Sequence, residues 1–181
     1  MIDLGGTLER DRTLLPYVRE CLQAISRFRA SDGSPLEYCL VSDFLPAEPF
    51  TESRVSEIFG QYLEILKELE ILDLFEPVER RVTLSTHANV RKPDRRLFEL
   101  AMERLGVSPK FEDSLFITEN DAHIAAARML GMDCLKFGIE RPGGFADWPT
   151  GLLKIALKVD PAKNMALAIT VLGRVRGLGE V

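Results

Sequence analysis

Four short segments of this chain carry the side chains best suited to chemistry. They are Asp3-Leu4-Gly5-Gly6-Thr7-Leu8, Leu40-Val41-Ser42-Asp43, Arg91-Lys92-Pro93-Asp94 and Phe116-Ile117-Thr118-Glu119-Asn120. Each begins at the end of an apolar run that reads as a strand. Together they supply a carboxylate, a hydroxyl, an ammonium and a second carboxylate. That set suits a phosphate and a divalent cation gripped at one edge of a parallel sheet. Asp3 is the hardest of them to explain structurally, because a carboxylate at the end of a buried strand is costly without a partner.

The elements that must position these groups alternate between two periods. Leu14, Val18, Leu22, Ile25 and Phe28 mark one helical face, with Pro16 in the first turn. Ser31-Asp32-Gly33-Ser34-Pro35 closes that helix, and Tyr38 to Val41 reads as a strand. Residues 43–52 read as a loop. Val55, Ile58, Phe59, Tyr62, Leu63, Leu66 and Leu69 then follow helical spacing. Val82-Thr83-Leu84 is a brief strand. Asp94 caps a helix that Gly106 ends, Ser114 to Thr118 is a strand, Asp121 to Leu130 is a helix, and Asp133 to Phe137 is a strand. Only Met1 and Ile2 precede Asp3, so the first strand is expected either to be stunted or to begin upstream.

Strand and helix alternating about five times predict an α/β fold, a parallel sheet covered by helices on both faces. Ligands of such sheets bind beyond the carboxyl ends of the strands, where the strand order reverses. All four segments fall at strand carboxyl ends and so can converge. Residues 139–181 read as an extension in which Gly143-Gly144, Trp148 and Pro149 form a surface loop. A helix is expected over 161–175, and its apolar run from Met165 to Leu172 should be buried against the same domain or a partner.

Bulk properties narrow the classes. The 181 residues fit one domain with one core, and the net charge of -5 argues against nonspecific nucleic-acid binding. From Lys154 onward five basic residues (Lys154, Lys158, Lys163, Arg174, Arg176) face two acidic ones (Asp160, Glu180), which reads as a solvated tail. Cys21, Cys39 and Cys134 have no metal-ligand spacing and read as free thiols of a reducing compartment. No apolar run approaches the ~20 residues of a membrane span. A cytoplasmic location is expected.

The order of the segments resembles the haloacid dehalogenase superfamily of phosphotransfer enzymes, over residues 1 to about 138. Lys92-Pro93-Asp94 followed by Leu97-Phe98, and Ala125-Ala126-Ala127 leading to Leu130-Gly131-Met132, match its usual wording. The resemblance implies a three-layer α/β/α Rossmann-like sandwich with strand order 3-2-1-4-5. It implies Asp3 as the nucleophile that forms an aspartyl phosphate, Lys92 and Ser42 as phosphate-binding groups, and Thr7 as a support for the loop. It implies Mg²⁺ held by Asp3, the Gly5 carbonyl and Glu119, where the family usually has an aspartate. The family's general acid and base, an aspartate two residues after the nucleophile, is replaced here by Gly5. That loss should weigh on alkyl phosphates, whose leaving group must be protonated, more than on acyl or aryl phosphates. His123, four residues after Glu119, is a candidate substitute; His87, which reads first as a surface loop residue, is a weaker one.

About 30 residues after Asp3 and about 40 after Ser42 leave no room for a substantial cap domain. The resemblance then implies an open site suited to bulky phosphorylated partners, with Phe44, Leu45 and Phe50 as a local lid. The expected function is a phosphatase weak toward alkyl esters; the alternative is an impaired relative that binds phosphate or a partner. A homo-oligomer through the C-terminal segment is compatible with either. The opening also resembles the phosphate loop of sugar kinases and actin-like ATPases. There a β-hairpin follows at once and two such domains are needed, whereas a helix is expected here.

Overall fold

The computed structural model describes residues 1–108, 110–140 and 142–177. Arg141 and the end of the C-terminal extension, Glu180 of the basic tail included, lie outside the described residues. In chain order the elements are β1 (Glu9–Arg10), β2 (Thr13–Leu14), α1 (Val18–Ile25), β3 (Leu40–Ser42) and α2 (Glu52–Glu68). Next come α3 (Val78–Arg81), β4 (Val82–Leu84), α4 (Ser85–Ala88), α5 (Arg95–Leu105), β5 (Leu115–Thr118) and α6 (Asp121–Met129). The chain finishes with β6 (Asp133–Phe137), β7 (Gly144–Phe145), α7 (Trp148–Val159) and α8 (Pro161–Val175).

The sheet is parallel and mixed with helices as the alternation of periods requires. β3 pairs with β4, β5 with β6, and β6 with β7, all parallel. Ile2 joins the two halves, bridging Leu40 on one side and Ile117 on the other. Successive side chains of a strand point to opposite faces, and the core divides accordingly. Leu40, Ile117, Leu135 and Phe137 pack under α1, α2, α7 and α8, while Cys39, Val41, Phe116 and Cys134 pack under α5 and α6. All three cysteines are buried free thiols. Among the described residues no helix is long and apolar enough to cross a membrane.

Three local expectations need correction. The first helix does not begin at Leu14. Glu9–Arg10 and Thr13–Leu14 form an antiparallel hairpin turning at Asp11 and Arg12, with φ of 53° and 58°. Helix α1 starts only at Val18. A hairpin therefore does follow the opening segment, and that ground for setting aside the ATPase resemblance fails. The parallel pairing of the later strands still opposes it.

The segment from Gly143 onward is not merely a surface loop. Gly144–Phe145 extends the sheet past residue 138. Asp147 caps α7 by accepting from Thr150 N at 2.8 Å, with Pro149 in the first turn. Trp148 is buried against Phe137 and Phe145, and its indole Nε1 donates to the Thr7 carbonyl at 2.8 Å. Helix α8 lies on α7 and α1, burying Asn164 and Ala168 and leaving Ile169 exposed. Asn164 closes this packing by bonding both the N–H and the carbonyl of Arg29.

His87 is the third correction. It is not a surface loop residue but sits half-buried on α4. Its Nδ1 accepts from Leu84 N at 2.9 Å, and its ring meets Phe59 edge-on. Burial, and then the Arg104 charge, push its pKa from 6.5 down to about 4. The unfolded chain therefore takes up a proton that the folded chain refuses. Stability is full above 6.5 and declines as pH falls toward 4. Urea unfolding at pH 7, 6 and 5 should show a falling midpoint, and His87→Gln should flatten that fall. An equal fall in the variant would clear His87 of the effect.

Candidate active site

A cavity of about 350 Å³ opens at the carboxyl edge of the sheet, lined by Asp3, Gly5, Ser42, Lys92 and His123 among others. The loop after Ile2, the end of β3 and the turn before α5 each deliver one group to it. Asp3 is 6% exposed and Lys92 7%. Lys92 Nζ lies 2.5 Å from Asp3 Oδ1 and also donates to the Val41 carbonyl at 3.1 Å. The lysine is aimed from its backbone, since Asp43 Oδ1 accepts from Lys92 N at 2.8 Å. Asp94 does not join the site. It caps α5 by accepting from Arg96 N at 2.9 Å.

Asp3 carries further donors: Leu4 N to Oδ1 at 2.9 Å and the Thr118 hydroxyl to Oδ2 at 3.1 Å. Burial raises its pKa above the usual carboxylate range. Lys92 opposes that rise and Glu119 adds to it. Ser42 is reached by a residue that the sequence reading left in the core stripe of α2. Tyr62 OH lies 2.7 Å from Ser42 Oγ, and burial pushes the phenol upward, so it keeps its proton and donates. The serine's own hydrogen remains available to an incoming oxygen.

Glu119 does not line the cavity directly. Its Oε2 accepts from the Thr7 hydroxyl at 2.6 Å, and Thr7 Oγ1 accepts in turn from Glu119 N at 3.1 Å. Thr118 Oγ1 lies 3.3 Å from the same carboxylate oxygen, so one hydroxyl faces both Asp3 and Glu119. Gly6 makes room for this arrangement. Its φ is +70°, and a Cβ there would sit 3.0 Å from Glu119 Cδ. Gly6→Ala should cost about 1–2 kcal/mol from the left-handed backbone alone and more from the crowding. Gly33, with φ of +88° and nothing within 4 Å, is the control. Chemical denaturation should rank Gly6→Ala well below Gly33→Ala; equal losses would show that Glu119 does not press on this glycine.

Asp3 and Glu119 offer hard oxygen donors on either side of a common hydroxyl, and Gly5 lines the cavity with Asp3. One lysine stands against two carboxylates. Among the described residues no group of three or more His, Cys, Asp and Glu side chains gathers as a metal cluster. A set of two carboxylates and a carbonyl does not require one. The donors and the local excess of negative charge fit Mg²⁺.

His123 lies in the first turn of α6, where Asn120 Oδ1 accepts from His123 N at 3.2 Å. Its imidazole lines the cavity and its Nδ1 is buried without a hydrogen-bond partner. Burial and the Lys92 charge lower its pKa, so it stands neutral at pH 7. Of the lid expected over 43–52, Phe44 lines the cavity and packs edge-on against Tyr62 at 5.1 Å. Leu45 and Phe50 are exposed.

No family model matches the sequence, and no curated protein sequence matches it. Solved structures do. YfnB from Bacillus subtilis, titled as a HAD-hydrolase bound to magnesium, aligns with a TM-score of 0.54 at 14% identity over 82% of this chain. A HAD phosphatase from Thermococcus onnurineus gives 0.52 at 18% over 78%. A dehalogenase with an intermediate complex gives 0.52 at 17% over 81%. The chain spans 57% of the length of each. Its fold is the one that these three structures share.

Proposed function

We propose that this protein is a magnesium-dependent hydrolase of phosphate monoesters or acyl phosphates that works through an aspartyl phosphate on Asp3. The observation that carries this reading is the buried Asp3–Lys92 pair at 2.5 Å, set in an open cavity beside the Ser42 hydroxyl. A buried carboxylate and ammonium are poor contributors to stability, whereas an anionic nucleophile facing an anionic phosphate needs positive charge at its side. Lys92 offers that charge to the phosphoryl oxygens. Ser42, held by Tyr62, donates its hydrogen to one of them. Thr7 steadies Glu119. Asp3, the Gly5 carbonyl and Glu119 would hold Mg²⁺, which supplies Lewis-acid neutralisation of the phosphoryl group.

Gly5 brings no proton donor, so substrates whose leaving group departs as an anion are favoured. The open cavity, with Phe44 in its wall, suits a phosphorylated macromolecule. The test is hydrolysis of acetyl phosphate, p-nitrophenyl phosphate and glycerol 2-phosphate with magnesium, together with beryllofluoride binding. Turnover falling in that order supports the reading. No turnover of any of them, with beryllofluoride still bound, would leave the second reading: a phosphate-binding module. The engagement of Glu119 with Thr7, outside the cavity lining, favours that alternative.

A further inference from the structure

The place left empty by Gly5 is filled from elsewhere in the chain. The hairpin of β1 and β2 folds back on the opening loop. Gly5 bridges Glu9, and Gly6 N donates to the Glu9 carbonyl at 2.8 Å. The Glu9 side chain is half-buried and lines the same cavity as Asp3, Ser42 and Lys92. Its two oxygens are distinguished. Oε2 accepts from Arg12 N at 2.8 Å, across the turn of the hairpin. Oε1 lies 3.6 Å from where a Cβ on Gly5 would stand. A carboxylate from position 9, held by a backbone hydrogen bond, thus stands in contact with the space that a side chain at position 5 would enter, on the wall of the same cavity. Asp11, with φ of 53°, takes the left-handed conformation immediately before that N–H. The Glu9 and Asp3 charges both bear on Tyr62, a lining residue of that cavity.

We infer that Glu9 is the general acid and base of this site, in place of the carboxylate missing at position 5. The inference rests on the hydrolase reading above. In the first half-reaction an Asp3 oxygen bonds to phosphorus and the bond from phosphorus to the ester oxygen breaks. The electron pair goes to the leaving oxygen, and the Glu9 carboxyl proton goes with it, giving the alcohol and a Glu9 carboxylate. In the second, water bonds to phosphorus while Glu9 takes its proton. The bond from phosphorus to Asp3 breaks with its pair returning to the carboxylate. Inorganic phosphate leaves and Glu9 is protonated again.

The test compares wild type, Glu9→Gln, Glu9→Gln with Gly5→Asp, and His123→Ala, each checked for an unchanged thermal midpoint. For glycerol 2-phosphate, Glu9→Gln should lower kcat/KM by about 10²–10⁴-fold. For acetyl phosphate, whose leaving group needs no proton, the loss in kcat/KM should be far smaller. The phosphoenzyme should build up under both substrates, because its hydrolysis has lost its base. Gly5→Asp in the Glu9→Gln background should restore much of the alkyl-ester activity, since an added side chain at position 5 meets only an ordinary contact. Equal losses on both substrates, no phosphoenzyme build-up, or a selective loss in His123→Ala instead would overturn the role of Glu9 and leave the hydrolase standing. No phosphoenzyme and no turnover in wild type would refute the hydrolase reading itself, and the role of Glu9 with it.

Discussion

Asp3→Asn is expected to reduce turnover of acetyl phosphate by roughly 10³-fold or more, the scale at which removal of a nucleophile acts. The loss should be chemical rather than structural. The amide oxygen can still accept from Lys92, Leu4 N still has an acceptor, and the volume is unchanged, so the chain should still fold, at a stability lowered by the buried ammonium that loses its counter-charge. Phosphoenzyme, trapped by acid quench, should vanish while beryllofluoride-insensitive phosphate binding remains. Comparable turnover in the variant would remove Asp3 from the reaction and return the site to a binding role.

Lys92→Met should have the largest effect on stability. Among the described residues it removes the one cation that pairs with a carboxylate 6% exposed, and it leaves the Val41 carbonyl without its donor. Breaking a buried pair from one side costs about 3–5 kcal/mol. The cost has a predictable pH dependence. Burial already raises the Asp3 pKa, and Lys92 opposes that rise. Without the lysine the folded-state value climbs further. A group whose folded pKa exceeds its unfolded one stabilises the fold below the unfolded value, and this contribution is lost as pH rises through the folded value. The deficit of Lys92→Met should therefore be smallest in acid and grow toward neutral pH. Adding Asp3→Asn should recover much of the stability, because both charges are then gone. Urea titrations of the two single variants and the double variant at pH 5 and pH 7 measure this. Strictly additive losses would show that the pair is not coupled.

The sequence made the framework of this site legible because each strand ends in a residue with no other obvious task. Asp3 and Ser42 line one cavity as their positions at strand ends suggest, and Lys92 joins them not from the end of β4 but from the turn before α5, with α4 in between. Asp94 and Gly106 marked α5 at both ends through capping chemistry that acts locally. The hairpin was missed because its turn uses Asp11 and Arg12 where such turns normally show Gly or Asn. With no glycine to signal it, Leu14 fell in phase with the following helix. Glu9 was missed with it, since only the folded hairpin brings residue 9 against residue 5. Tyr62 was legible as a core residue by its spacing, but the hydroxyl that reaches Ser42 lies at the tip of a side chain whose body packs as expected. Helix α7 had a readable start, Asp147 followed by Trp148-Pro149, which the neighbouring Gly143-Gly144 obscured.

The indole of Trp148 gives this architecture an unexpected lever. From its N–H to the carbonyl of residue 7, and from the hydroxyl of that same threonine to Glu119, runs a relay of two hydrogen bonds, 2.8 and 2.6 Å long. A displacement of α7 would therefore bear on Glu119 through Thr7 without approaching the cavity. The last third of the chain is thus tied by two successive contacts to the loop that follows β5.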